Sequence, residues 1–433
     1  MQIVLPAIKD IKVGSVNGMQ EIWGSQLNAR SFNKLESLDI GFAKNATKVF
    51  LLDVIKHMQN LKELSLQQFQ LAEEFVEHTE FYNDDIENSI LLPQLGKLTI
   101  NSFPRLKWIP WKELALQNLR YLKISRINGL TSLFPISVCR MLANLETLSV
   151  SDCLNMKEIV GEELGDTSAV EVKVVFPRLN SLTLDELPAF QTLSTNNVII
   201  EFPSIEEVAF REFQKPIPLD LLQRLQHVKE LQLGGCQSLS ELFGLEGRAP
   251  AILPRLRTLG LHSMPNLQSI PWMVFPTEKI RHIIILSMNG LKFLFPASPS
   301  SEEFAHLVEI HIEHCDGIER VLGDTSNNAA LTTAVFPHVK IINLCYLKNL
   351  YSFSFKNYRA LEFPSLEEVK IEYCPKMETF SYGSLIIQRP CKISIDGDIQ
   401  KESSDLNKVI RECTGDQVEY LKSSLSRYRD LDY

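Results

Sequence analysis

Histidine recurs in successive stretches of this chain, at His262, at His282, and in the run His311-Ile312-Glu313-His314. Imidazoles beside a carboxylate can bind a metal ion or sense pH near neutrality. Tyr346 and Tyr373 follow in the next two stretches. If the stretches are neighbouring strands, groups two strands apart are separated by about 10 Å at the backbone. A tetrahedral metal site would then need side chains that converge. A polar and aromatic protein-binding surface is the better reading, because tyrosine and histidine join apolar area to a polar tip. A histidine-centred metalloenzyme is the rival reading, and it predicts about one equivalent of zinc in the purified protein.

Two other groups carry charge. Lys97, Thr99 and Asn101, then Tyr121, Lys123 and Ser125 with Arg126, then Thr147, Ser149 and Ser151, fall at outward places of three consecutive stretches. The first two make a modestly basic, aromatic-bearing patch suited to an acidic partner, although an ordinary solvated face has the same composition. Asp185, Glu186, Glu206, Glu207 and Glu212 make an acidic neighbourhood, by default a solubilising face and alternatively a dock for a basic partner. The chain contains no G-x-S-x-G, H-E-x-x-H, paired C-x-x-C or glycine-rich dinucleotide loop, so neither an enzyme nor a cofactor is expected.

What positions these residues is a repeat. In Phe363–Phe380, FPSLEEVKIEYCPKMETF, apolar residues fall at Leu366, Val369, Ile371, Cys374, Met377 and Phe380. One copy cannot bury so many apolar side chains alone, so copies must stack. The first apolar position recurs at Ile8, Leu35, Leu61, Leu95, Leu119, Leu145, Leu179, Ile205, Val228, Leu256, Ile280, Leu307, Val339 and Leu366, about fourteen copies. The step of roughly 27 to 28 residues is that of leucine-rich repeats. Pieces such as Leu122-Lys123-Ile124 and Leu182-Thr183-Leu184 alternate apolar with polar, which predicts short strands stacked in parallel to line a concave sheet. Three residues beyond each strand's last apolar residue comes another core residue, from Val16 and Phe69 through Cys153, Cys236 and Cys315 to Cys374. Aliphatic, aromatic or cysteine residues at this place predict a turn held by packing more than by a side-chain hydrogen-bond ladder. The cysteines there read as buried reduced thiols.

Phe-Pro pairs at residues 176, 202, 275, 336 and 363, with Leu-Pro at 92 and 253, end one turn and launch the next strand, since proline holds itself and its predecessor extended. Three polar insertions, around residues 72–89, 161–173 and 323–335, should loop out of one face. The expected organisation is an α/β leucine-rich-repeat solenoid over residues 1–390, with an irregular convex side, followed at 391–433 by a last strand through Ile393 and Ile395 and a helical cap. The cap's first helix would start near Ser403, Ser404 and Asp405 and bury Leu406, Val409, Ile410 and Cys413; a second would use Val418, Leu421 and Leu425.

The chain has 433 residues, 45% of them hydrophobic, and a net charge of -9. That charge argues against binding a nucleic-acid backbone. No apolar run of about 20 residues is present to span a bilayer, and the start lacks a signal-peptide pattern, so a cytoplasmic protein is expected. The sequon Asn45-Ala46-Thr47 would then be coincidental.

The units NLETLSVSDCLNMKEIV (144–160), FPRLNSLTLDELPAFQTL (176–193) and FPSLEEVKIEYCPKMETF resemble the irregular repeats of plant intracellular immune receptors, closest to the coiled-coil class of nucleotide-binding, leucine-rich-repeat disease-resistance proteins. The resemblance covers about residues 5–390. It implies recognition of a pathogen effector or monitored host protein and restraint of the receptor's nucleotide-binding domain. No phosphate loop or coiled coil accompanies the repeats, so an ATP/ADP site would lie in a domain outside this chain, and the chain looks like the repeat region alone. The alternatives are a substrate-recruiting subunit of a ubiquitin ligase, which an upstream F-box would favour, or a generic interaction scaffold.

Overall fold

A computed structural model describes residues 7–14, 32–43, 45–77, 91–161, 172–194, 197–217, 219–243, 253–295, 302–324, 332–397 and 399–413. Val16, most of the three insertions and the expected second terminal helix lie outside these residues. The chain forms two compact units, one of residues 1–213 with 220–227 and the other of residues 214–219 with 228–433.

Every expected alternating piece is a strand. In the first unit these are Asp10–Val13, Ser37–Ile40, Glu63–Gln67, Lys97–Asn101, Tyr121–Ser125, Thr147–Ser151, Ser181–Asp185 and Glu207–Arg211, each paired in parallel with the next. In the second unit Glu230–Gly234, Thr258–His262, His282–Leu286, Glu309–Glu313, Ile341–Cys345, Glu368–Glu372 and Cys391–Ile395 do the same. Equivalent residues face one another, as Leu148 faces Leu182 and Ile312 faces Leu344. Period two in a strand sends alternate side chains to opposite faces, so a ladder in register stacks like on like and buries Leu148, Leu182, Ile312 and Leu344 almost completely.

The return segments are irregular. They carry short parallel ladders, such as Ser132–Pro135 with Glu158–Gly161 and Thr192–Ser194, or Thr332–Val335 with Tyr358–Phe363 and Ser384–Ile387. Among the described residues of these segments, helix is confined to short pieces such as Leu52–Ile55, Ile136–Cys139 and Leu219–Gln223. Phenylalanines of the Phe-Pro pairs fill the core, with Phe176 stacked 5.7 Å from Phe202 and Phe336 stacked 5.2 Å from Phe363. Both units also contain the same tryptophan device: Trp111 donates its indole N–H to the Leu133 carbonyl at 2.7 Å, and Trp272 donates to Leu294 at 2.9 Å.

The turn after each strand is held by more than packing. The residue just ahead of the extra core position adopts positive φ at Phe42, Gln68, Ser102, Arg126, Asp152, Glu186 and Glu212 in the first unit, and at Gly235, Ser263, Ser287, His314, Tyr346 and Tyr373 in the second. Its amide then points along the stack. Arg126 donates to the Ser151 carbonyl at 3.1 Å, His314 to Cys345 at 3.1 Å and Tyr346 to Glu372 at 2.7 Å. A main-chain ladder therefore runs beside the packed residues. A side-chain ladder also exists, but at the strand entry: Asn118 donates to the Pro93 carbonyl, Ser204 to Pro177 and Ser365 to Pro337, each at 2.7 Å.

All eight cysteines are buried and free. Burial pushes the Cys153 thiol up to about 11 and those of Cys315 and Cys374 up to about 12, as packed thiols require.

At the end of the second unit the strand Cys391–Ile395 is present as expected, and Ile399–Ser403 pairs back on it antiparallel, a hairpin the alternation did not reveal. A helix over 406–413 follows. Its Asp405 cap accepts the Lys408 amide at 2.9 Å, and Leu406, Val409, Ile410 and Cys413 are buried. Among the described residues, no helix is long and apolar enough to cross a membrane.

Candidate protein-binding face

Three outward columns of the second unit's sheet hold four of the predicted residues, His262, His282, His311 and Glu313. Register aligns His282 with Glu309, His311 with Asn343 and Lys370, and Glu313 with Cys345 and Glu372. From this alignment a continuous polar chain arises. His282 Nδ1 lies 3.3 Å from Glu309 Oε2, whose other oxygen accepts from Asn343 at 3.5 Å. The same Asn343 amide donates to His311 Nδ1 at 3.4 Å, which leaves the Nε2–H of His311 to donate to Glu313 Oε2 at 3.1 Å. Glu313 Oε1 then meets His314 Nε2 at 3.4 Å.

His314 begins an aromatic stack. Its ring lies 4.5 Å from that of Tyr346, with 13° between planes, and Tyr346 lies 4.9 Å from Tyr373, with 12° between planes. All three occupy the positive-φ position of consecutive repeats. Tyr346 is 36% and Tyr373 62% exposed. Partial desolvation, with the Glu372 carboxylate second, raises the Tyr346 phenol above its ordinary value. Lys370 is held charged above its usual range, chiefly by its hydrogen bond to Glu372 at 2.9 Å.

The structure thus joins His282, His311, Glu313, His314, Tyr346 and Tyr373 in one surface and adds Glu309 and Asn343, which sequence reasoning missed. Their signal was the outward place in Glu309-Ile310-His311-Ile312-Glu313 and in Ile341-Ile342-Asn343. His262 stands apart: its ring crosses over Gly234, in the space that an added Cβ would occupy. Among the described residues, no group of three or more His, Cys, Asp or Glu is arranged to hold a metal ion.

The basic patch lies in the first unit. Lys97 Nζ sits 5.7 Å from the centre of the Tyr121 ring and 3.8 Å from Glu63. Lys123 is exposed and has no ion-pair partner among the described residues. Ser125, expected to face outward, is 6% exposed and donates to Asn101 Oδ1 at 2.9 Å. Arg126 takes the positive-φ place and lies 3.7 Å from Asp152. The next two such places are Glu186 and Glu212. A hydrogen bond to Asp152, with burial second, raises the Glu186 carboxyl above its ordinary value. Basic patch and acidic neighbourhood therefore meet along one row of turns.

Residues 7–154, 115–215 and 178–316 each match the family described as plant disease resistance protein RPS2-like, leucine-rich repeats. A comparison with curated proteins finds no match. Among solved structures, a plant peptide hormone receptor, RGFR1 in complex with RGF2, aligns over 91% of this chain and 58% of its own, at 14% identity and a TM-score of 0.35. The leucine-rich-repeat domain of APL1B aligns over 83% of each chain at 12% identity and a TM-score of 0.34. A domain of InlJ from Listeria monocytogenes that includes a cysteine ladder aligns over 80% of this chain and 71% of its own, at 12% identity and a TM-score of 0.31. The chain spans 58% of the length of that hormone receptor. With the repeat matched across residues 7–316, this chain belongs to the RPS2-like leucine-rich repeats of plant disease resistance proteins.

Proposed function

We propose that the chain is the protein-recognition region of a plant intracellular immune receptor, and that its outward sheet face binds a pathogen effector or a monitored host protein. The supporting observation is the joined surface running from His282 to Tyr373. A protein partner needs a few amphipathic anchors in a hydrogen-bonded surround. The Tyr346–Tyr373 stack offers the anchors, and Glu309, Asn343, His311 and Glu313 offer the surround. The region acts without a catalytic step or a cofactor of its own, works in the cytoplasm, and restrains a nucleotide-binding domain until its partner arrives.

The test is made in the receptor that carries this region, expressed in leaf cells. Tyr346→Ser with Tyr373→Ser should abolish the hypersensitive response to the triggering pathogen at unchanged receptor level, whereas Lys173→Ser, on a return segment, should leave it intact. An undiminished response in the double variant would sink the proposal.

A further inference from the structure

The residue just ahead of each strand forms a column through each unit, and cations in that column are repeatedly matched by carboxylates. Glu36 stands between Lys9 at 2.9 Å and Lys62 at 2.6 Å. Arg120 lies 3.5 Å from Glu146, and Lys340 lies 2.7 Å from Glu367. Arg257 and Arg281 break the pattern by following Lys229, so that three cations occupy consecutive rungs. Their backbones are fixed in the stack: Lys229 O accepts the amides of Arg257 and Thr258, Arg257 O those of Arg281 and His282, and Arg281 O those of Val308 and Glu309, all at 2.7–3.0 Å. Adjacent rungs are about 4.8 Å apart. Arg257 and Arg281 are exposed, and neither has an ion-pair partner among the described residues.

The entry ladder adds to this charge. Where other repeats use asparagine or serine, these use Arg255, Lys279 and His306. Lys279 Nζ donates to the Pro254 carbonyl at 3.1 Å, and His306 Nδ1 donates to the Glu278 carbonyl at 2.6 Å, so the Nε2 of His306 is left to face a ligand. Together with Lys229, Arg257, Arg281 and Pro254, these side chains line a groove of about 470 Å³ whose lining has no carboxylate. The equivalent groove of the first unit, lined by Glu146, Arg178, Asn180, Ser204, Glu206 and Glu207, carries three carboxylates against one guanidinium. The repeat supplies the groove and the local sequence chooses its sign. This choice is made in a chain of net charge -9.

The geometry points to a binding site for a compact anion carrying several phosphates. Three guanidiniums suit phosphate oxygens, which they can grip in pairs, and lysine adds a point charge. An acidic peptide fits less well, because the lining has one proline as its apolar residue and the strands Thr258–His262 and His282–Leu286 beside it are paired on both sides, leaving no edge for main-chain pairing. The anion would come from a soluble polyphosphorylated metabolite or from a polyphosphorylated lipid headgroup.

Calorimetric titration of the whole chain with inorganic tripolyphosphate, at low and at physiological salt, tests the site. Arg257→Ser with Arg281→Ser should weaken binding by roughly tenfold or more, the loss expected when charge-assisted hydrogen bonds are removed. Lys340→Ser, which removes a paired cation of the same column, should leave affinity unchanged. A thermal melt confirms that the variants fold. Sedimentation with phosphatidylcholine vesicles containing a bisphosphorylated lipid then identifies the source: capture that tripolyphosphate displaces assigns a headgroup, and tripolyphosphate binding without capture assigns a soluble ligand. The site is overturned by no heat of binding, by equal affinity in the double variant, by an equal loss in Lys340→Ser, or by binding of polyglutamate or RNA with tripolyphosphate inert.

Discussion

Tyr373 holds a backbone conformation that a non-glycine residue adopts at a cost, with φ at 49°, and its ring is largely in solvent. A left-handed residue with a side chain costs roughly 1–2 kcal/mol, and a stacked pair such as Tyr346 with Tyr373 returns about 0.5–1.5 kcal/mol. Tyr373→Gly should therefore leave stability within about 1 kcal/mol, since relief of strain offsets the lost stack and the looser unfolded chain. Tyr373→Ala keeps the strain and loses the stack, so it should be the less stable of the two by denaturant titration. If glycine proves the more damaging, the turn is not strained as described. A second residue-scale outcome concerns Glu36. Hydrogen bonds from Lys62 and then Lys9 hold its carboxyl down at about 2, below the ordinary 4.5. Because the folded value is depressed, its contribution is complete above the unfolded value near 4.5 and is lost as pH falls through about 2. Carbon-13 titration should place Glu36 near 2 in the native chain and visibly higher in Lys62→Met; an unmoved midpoint would show that Lys62 is not the cause.

At the scale of elements, Asn407 ties the terminal helix to the return segment before it. Asn407 Oδ1 accepts the Phe380 amide at 2.9 Å, the Ser381 amide at 3.0 Å and the Thr379 hydroxyl at 2.8 Å, and its Nδ2 donates back to the Ser381 carbonyl at 3.0 Å. Those groups belong to the last return segment, where no further repeat supplies partners. Asn407→Ala should cost about 1–3 kcal/mol by leaving part-buried donors unmet, read as a lower melting temperature with earlier proteolysis near residue 406; an unchanged melt would mean water replaces the amide. The helix itself was legible, because Leu406, Val409, Ile410 and Cys413 keep helical spacing after a capping aspartate. Its partner strand Ile399–Ser403 was not, since Ile-Gln-Lys-Glu-Ser has one apolar residue and pairs only because Cys391–Ile395 would otherwise be an open edge. The same distinction holds for the candidate face. Periodicity fixes which residues point outward, so His282, His311, Tyr346 and Tyr373 could be named. It says nothing of which outward neighbours bond, so Glu309 and Asn343 needed the register. The positive-φ row escaped notice because arginine, histidine and tyrosine occupy a place that glycine would have advertised.

For the whole molecule, the repeat sets how damage spreads. Within each unit the main-sheet strands hydrogen-bond to their sequence neighbours in the ladder, and each unit carries its own tryptophan device at Trp111 and Trp272, so cohesion is distributed rather than gathered in one core. Leu344 is fully buried and faces Ile312 on one side and Ile371 on the other. Leu344→Ala removes that contact at about 2–5 kcal/mol. In a fold with one central core such a loss would appear everywhere at once. In a stack of nearest-neighbour rungs it should raise amide exchange in Glu309–Glu313, Ile341–Cys345 and Glu368–Glu372, with protection in Ser37–Ile40 and Glu63–Gln67 unchanged. Native-state hydrogen exchange by mass spectrometry resolves those peptides. A uniform rise across all of them would show that the chain unfolds as one cooperative body, and a rise confined to the second unit's middle strands would show that its binding face can loosen locally.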